Sequence, residues 1–207
     1  MISKLNKLEQ PKKLFVGVDP SLTSTGVVAL DNSGTILNTL TVKTKHDLLR
    51  CPDGLVKRLL HIEHEVGSFI EKLKKGGAGT EIEPEHVHIG YEHYSYQSVN
   101  KPFKLGELGG VLKTHFLRKR YNQEYISPSL LKKFATMDGQ ASKDRVKEQA
   151  LKESSLPDNL PSDIYDAYFL AKFAWYHVAP SCVLKNECEK ARLWVRDRLE
   201  ITQKHSN

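Results

Sequence analysis

LFVGVDPSLTSTGVVALDNSGTILNTLTV, residues 14–42, decides how the rest of the chain is read. Leu14, Val16 and Val18 alternate with Phe15, Gly17 and Asp19, the period-two pattern of a strand buried on both faces. An acid closes this apolar run. Followed by Pro20 and Ser21, Asp19 is by itself an ordinary turn opener. The following residues change its weight: Thr25–Leu30 reads as a second strand, Asp31-Asn32-Ser33-Gly34 as a tight turn, and Thr35–Val42 as a third strand. An acid at the tip of the first strand of such a meander marks a site.

Its first partner lies further along. HVHIGYE, residues 86–92, repeats the pattern, with Val87, Ile89 and Tyr91 on one face and His88, Gly90 and Glu92 on the other. Gly90 precedes Glu92 by two positions, as Gly17 precedes Asp19. If the two strands are parallel neighbours, both carboxylates share a face, an arrangement that is costly unless a cation neutralises it. SDIYDAYFLAKFAWYHV, residues 162–178, reads as a helix with Ile164, Ala167, Ala171, Ala174, Trp175 and Val178 inward. Asp163 and Asp166 sit together on its first turn, where the helix dipole favours their ionised form. These two acids are also normal helix-start chemistry; their weight comes from the company of Asp19 and Glu92.

Between these landmarks, Leu55, Leu59, Ile62, Val66, Phe69, Ile70 and Leu73 mark an amphipathic helix that opens at Pro52. Pro102–Arg120 reads as a helix with an apolar line at Leu105, Leu108, Leu112 and Phe116; its Gly106, Gly109 and Gly110 imply close packing on the sheet or on a second subunit. Glu124–Ser127 reads as a fifth strand, and Pro128–Phe134 and Ser142–Lys152 as short helices. The expected fold is α/β, a five-stranded mixed sheet of a three-stranded antiparallel meander plus two parallel strands, flanked by helices. Residues 1–13 read as a flexible leader, 14–180 as one domain and 181–207 as a charged helical tail.

The 207 residues carry 31 Lys+Arg against 25 Asp+Glu, a net charge of +6. Residues 101–152 alone hold twelve basic against five acidic side chains, so the excess is local and points to a polyanionic partner. Lys101, Lys104, Arg118, Lys119, Arg120, Lys132, Lys133, Lys143 and Lys147 lie in this region. Lys143 falls in a first helical turn, where a cation is unfavourable unless helix and lysine together meet an anion such as phosphate. Tyr94 and Tyr96, in the loop after Glu92, are placed to stack on bases or to cover the core edge. Three cysteines without CxxC spacing imply neither a disulfide framework nor a zinc site. Residues 1–13 are too polar for a signal peptide, and no apolar run approaches the roughly 18 residues that span a bilayer, so a soluble intracellular protein is expected.

Four carboxylates form an oxygen-only donor set suited to Mg²⁺, with Mn²⁺ as a substitute. Two such ions could activate water and stabilise a leaving 3′ oxygen, cutting a phosphodiester by in-line displacement to leave a 5′ phosphate.

The chain resembles the RuvC-type Holliday junction resolvases of the ribonuclease H-like superfamily from about Leu14 to Val178. The resemblance rests on GVDPSLTSTG, IGYEHYS, YISPSLLKKFATMDGQASKDRV and SDIYDAYFLA, taken in order. It implies metal-binding roles for Asp19, Glu92, Asp163 and Asp166, catalytic or phosphate-contacting roles for Lys132 and Lys143, and a junction-opening loop at Tyr94 and Tyr96. It also implies a homodimer that makes paired nicks in a four-way DNA junction, with no small-molecule cofactor and no membrane. Ser21 stands where bacterial members carry glycine, and the stretch between Asp19 and Glu92 is longer, so a divergent member is expected, of a bacterium, a phage or an organelle. Two other enzymes share parts of this pattern. A ribonuclease H-like nuclease for flaps or RNA–DNA hybrids would use the same centre, whereas an actin-like ATPase or sugar kinase would need a second phosphate loop that this chain lacks. A junction-binding module that no longer cuts would lack one of the acids.

Overall fold

The computed structural model describes residues 11–44, 53–76, 81–92 and 102–178. Five strands, β1 (Leu14–Asp19), β2 (Ser24–Leu30), β3 (Ile36–Lys43), β4 (Val87–Glu92) and β5 (Asn122–Ile126), form one sheet in the order β3-β2-β1-β4-β5. β1 pairs antiparallel with β2 and parallel with β4, and β4 pairs parallel with β5, which is the expected mixed sheet. Five helices accompany it: α1 (Gly54–Lys74), α2 (Pro102–Arg118), α3 (Pro128–Thr136), α4 (Lys143–Glu153) and α5 (Ser162–Val178).

The period-two pattern of β1 sends its side chains into two separate cores. Leu14, Val16 and Val18 join Val87, Ile89 and Tyr91 of β4 beneath α1 and α2, where Leu59, Ile62, Val66, Leu108, Leu112 and Phe116 are buried. Phe15 lies on the opposite face with Val28, Leu30 and Ile126, against α5 and then α3 and α4. Burial on both faces is what makes the central strands read as continuous apolar runs.

The turn Asp31–Gly34 closes as read, with Gly34 at φ 78° and the Asp31 carboxylate accepting from the Ser33 and Thr35 amides at 2.8 and 3.0 Å. Lys13, at the end of the expected leader, donates its amide to Asn32 Oδ1 at 2.5 Å, so Pro11–Lys13 are tied to this turn.

Several boundaries shift for local reasons. α2 stops at Arg118 because Arg120 takes φ 59°, and the Tyr121 and Arg120 amides close onto the Phe116 and Leu117 carbonyls, both at 3.0 Å. β5 starts at Asn122 because its pairing begins opposite His88. Gly106 and Gly110 of α2 would each place a Cβ in open space, so among the described residues they serve no close approach. α5 is buried nearly all round rather than along one stripe: Tyr165, Tyr168, Phe169, Phe173 and Tyr176 are also buried, because α3 and α4 cover its outer side, with Phe134 edge-on to Phe173 and Tyr176. No helix among the described residues is long and apolar enough to cross a membrane.

Candidate active site

The site is built where three elements end. The register pairs Gly17 with Gly90 and Val18 with Tyr91, which leaves Asp19 and Glu92 as the adjacent last residues of β1 and β4. α5 crosses this face in direct backbone contact with the sheet. A Cβ on Gly17 would stand 1.9 Å from the Ala167 carbonyl oxygen, and one on Gly90 would stand 1.9 Å from that of Leu170. A third glycine completes the seat: Gly26 of β2 pairs with Asp19, and its Cβ would meet the Asp163 carbonyl oxygen at 2.3 Å. The first turn of α5 is thereby pressed onto the strand position beside Asp19, bringing Asp163 and Asp166 to the ends of β1 and β4.

The electrostatics record this convergence. Burial, then Asp166, Glu92 and Asp163, push the Asp19 carboxyl well above the usual range, opposed by Lys143. Burial and Asp166 push Glu92 up to about 7, against the pull of Lys143 and Lys132. Burial also raises Asp166, against Lys143, whose Nζ stands 3.8 Å from Asp166 Oδ2. All four acids retain some exposed surface, so the cluster opens to solvent although the carboxyls are hemmed in. Among the described residues no three His, Cys, Asp or Glu side chains are close enough together to hold an ion as placed. The donor chemistry nonetheless fits a hard divalent cation, since mutually repelling carboxyls with raised proton affinity are what such a cation relieves.

The other candidate residues divide by position. Lys132 of α3 and Lys143 of α4 face the acids, as their influence on Glu92 and Asp166 records. Lys133 follows Lys132 on α3, and Lys104 lies in the first turn of α2. Lys147 is held by Asp158 at 2.7 Å and lies over the Tyr165 ring. Arg118, Lys119 and Arg120 sit at the far end of α2, beside the start of β5, whereas Glu92 closes β4; the parallel pairing puts them at the opposite edge of the sheet from the acids. Lys119 is there engaged with Glu71 at 3.1 Å. Tyr94, Tyr96 and Lys101 lie outside the described residues.

The sequence reading passed over a buried support. Arg58 of α1 is 1% exposed and donates through Nε to Thr44 Oγ1, which in turn donates to the Leu22 carbonyl, tying α1 to the turn after Asp19. Thr25 closes the same turn by accepting from the Ser21 amide at 3.1 Å and donating to the Ser21 carbonyl at 2.7 Å.

With three carboxylate-bearing elements meeting over a mixed sheet, the comparison with known families is decisive. The family described as crossover junction endodeoxyribonuclease RuvC matches residues 15–172. The chain belongs to this family. Two solved structures of Thermus thermophilus RuvC share the fold with a TM-score of 0.59 each. The first is 18% identical and the match covers 79% of this chain and 95% of that one. The second, a complex with a Holliday junction substrate, is 17% identical over 80% of this chain and 94% of that one. No curated protein matches. The match to the RuvC family covers all four acids and both lysines, Lys132 and Lys143.

Proposed function

We propose that this RuvC-family chain is a structure-specific DNA endonuclease that resolves four-way junctions, with residues 14–180 as the nuclease domain. The observation that carries the proposal is the meeting of Asp19, Glu92 and Asp166 from β1, β4 and α5, each raised above its usual proton affinity by burial and by its neighbours. So much negative charge in one place is stable only in the presence of cations or protons.

In this reading Asp19, Glu92, Asp163 and Asp166 hold two Mg²⁺ ions, which Mn²⁺ can replace. When bound, such ions supply an acidified water and neutralisation of charge on the leaving 3′ oxygen, so that the products are a 5′ phosphate and a 3′ hydroxyl. The chain's own groups supply the remainder. Lys143, two-thirds exposed and 3.8 Å from Asp166, is free to reach a phosphate oxygen while keeping the acids ionised. Lys132 acts on the same acids from α3. Tyr94, Tyr96, Lys101, Lys104, Lys133 and Lys147 are proposed as contacts to the junction arms.

Paired nicking needs two such centres, and we place a second copy on the α1–α2 layer. Val56 and Leu60 of α1 and Leu117 of α2 are more than half exposed there. Glu63, Glu107 and Arg118 line the groove of about 840 Å³ between the helices, so a two-fold mate would meet acid with base. The expected setting is the cytoplasm of a bacterial or phage-infected cell, or an organelle.

The test is cleavage of a synthetic four-way junction, a 5′ flap, a duplex and an RNA–DNA hybrid, with and without Mg²⁺, by wild type and D19N. Symmetric nicks in the junction alone, absent in D19N, are expected. Preference for the flap or hybrid would transfer the assignment to a different nuclease, and tight junction binding without cutting in Mg²⁺ or Mn²⁺ would make the protein a binding module.

A further inference from the structure

Met137 occupies a backbone position that suits glycine. It ends α3 at φ 68° and ψ 2°, and its amide donates to the Lys133 carbonyl at 2.9 Å. Arg120 is the other non-glycine residue at positive φ among the described residues, and it closes the tight turn after α2. Residues with a Cβ are disfavoured in the left-handed region, and when one persists there the surroundings hold it in place, most often at a functional site.

Here the surroundings are visible. Thr136 Oγ1 donates to the Lys132 carbonyl at 2.9 Å and accepts from the Asp138 amide at 3.3 Å. Asp138 accepts from the Gln140 amide and from Arg145 Nη1, both at 2.9 Å, and its carbonyl accepts from the Ala141 amide at 3.2 Å. Ser142 then caps α4 through the Arg145 amide at 3.2 Å. The connection between α3 and α4 is therefore braced along its length, and Met137 cannot relax by moving its backbone.

Its side chain is left 46% exposed. In the connection 137–142 the other apolar side chain, Ala141, is buried, so the thioether is the apolar surface that this segment offers to an incoming ligand. The segment runs from the helix bearing Lys132 to the first residue of α4, Lys143, and both lysines act on Glu92 and Asp166. The connection thus joins the two helices whose lysines a phosphate at the acid cluster would meet.

We infer that Met137 is a specificity residue: its side chain packs against the nucleobase beside the phosphate that is cut, and so sets which base is accepted there. The inference rests on the nuclease reading above. A flexible, polarisable thioether suits a base face, and apolar side chains held on a rigid backbone are used elsewhere to wedge against base steps.

The experiment uses the full chain and junctions carrying 2-aminopurine at single positions through the crossover, held uncut in Ca²⁺, with wild type, M137L, M137G and M137N. Wild type and M137L should change the fluorescence at one nucleotide near the crossover. M137G and M137N, which tolerate positive φ, should lose most of that change while melting no lower than wild type. In Mg²⁺, the spread of wild-type rates across junctions that differ only at the base beside the cut should be about tenfold or more, the scale of one apolar contact, and should collapse in M137G and M137N. A wild-type fluorescence profile and rate spread in M137G would make Met137 a plain helix terminus and overturn the inference. Binding without cutting by wild type would overturn the nuclease reading alone, since the Ca²⁺ fluorescence still reports the base contact. Failure of wild type to bind any junction would overturn both.

Discussion

Gly17 of β1 and Gly90 of β4 are register partners, and each faces a backbone carbonyl of α5 that a Cβ would strike at 1.9 Å. This pair is the seat of α5, and it sets the height at which Asp163 and Asp166 meet Asp19 and Glu92. The contacts are to backbone, which cannot swing aside as a flexible side chain can.

G17A or G90A should therefore lift α5 from the sheet. Overpacking costs about 1–3 kcal/mol, and a clash with backbone that cannot move aside falls at the upper end. The acids would separate with the helix, so divalent-ion affinity should fall along with the urea midpoint. A variant that keeps the wild-type midpoint would show that α5 is not seated by this pair.

Glu92 gives a pH signature in protein stripped of divalent ions. Its folded-state value of about 7 lies above the usual value of 4.5, because burial and Asp166 disfavour the charged form. Folding therefore binds a proton here: the group is neutral to stability below about pH 4.5 and becomes destabilising as pH rises towards 7 and beyond. The shift corresponds to about 3 kcal/mol at alkaline pH. E92Q should match wild type in melting temperature near pH 4 and exceed it at pH 8 in EDTA. Mg²⁺ should narrow that gap by stabilising wild type. A gap that is constant with pH would place Glu92 outside the acid cluster.

Much of this was legible in the sequence because its signals are periodic. The alternation in β1 and β4 located Asp19 and Glu92 and the glycines two positions earlier. What the sequence concealed depends on what packs where. Gly26 looks like any strand glycine until the antiparallel register sets it beside Asp19 and under Asp163. Arg58 follows the exposed Lys57 in an amphipathic helix, and only the fold shows its guanidinium buried against Thr44. The run Arg118-Lys119-Arg120 is conspicuous as charge, but α2 carries it back to the edge of the sheet where β5 begins, away from the acids. Gly106 and Gly110 mark no close packing among the described residues, because helix propensity records that a glycine is unfavourable and not what stands opposite it.

Lys143 should matter to activity far more than to stability. Its side chain is two-thirds exposed, so K143A should leave the melting temperature within a few degrees of wild type. Asp19, Glu92 and Asp166 are each pulled down by this ammonium, so its loss raises their proton affinity further. The pH–rate profile of junction cleavage in Mg²⁺ should accordingly shift to higher pH, with a loss of about a hundredfold at neutral pH. K143R, which keeps the charge, should retain the wild-type midpoint of the profile. An unshifted profile in K143A would mean that the lysine serves DNA binding alone.

Glu71 of α1 is partly buried, which by itself would raise its carboxyl. The Tyr121 hydroxyl, donating at 2.8 Å, together with Lys119 and Lys74 reverses this and holds Glu71 at about 2. Its folded value lies below the usual 4.5, so its contribution is fully present above about pH 4.5 and is lost as pH falls towards 2. The shift corresponds to about 2 kcal/mol once its partial exposure is allowed for. Because Tyr121 packs under α2 and Glu71 belongs to α1, this contribution joins the two helices independently of the acid cluster. E71Q should lower the unfolding free energy from urea titration at pH 7 by that amount and converge with wild type near pH 2. Cleavage should be unchanged, since Glu71 lies at the far edge of the sheet from Asp19. A loss of cleavage in E71Q at unchanged stability would show that the α1–α2 layer is coupled to the site by more than its packing.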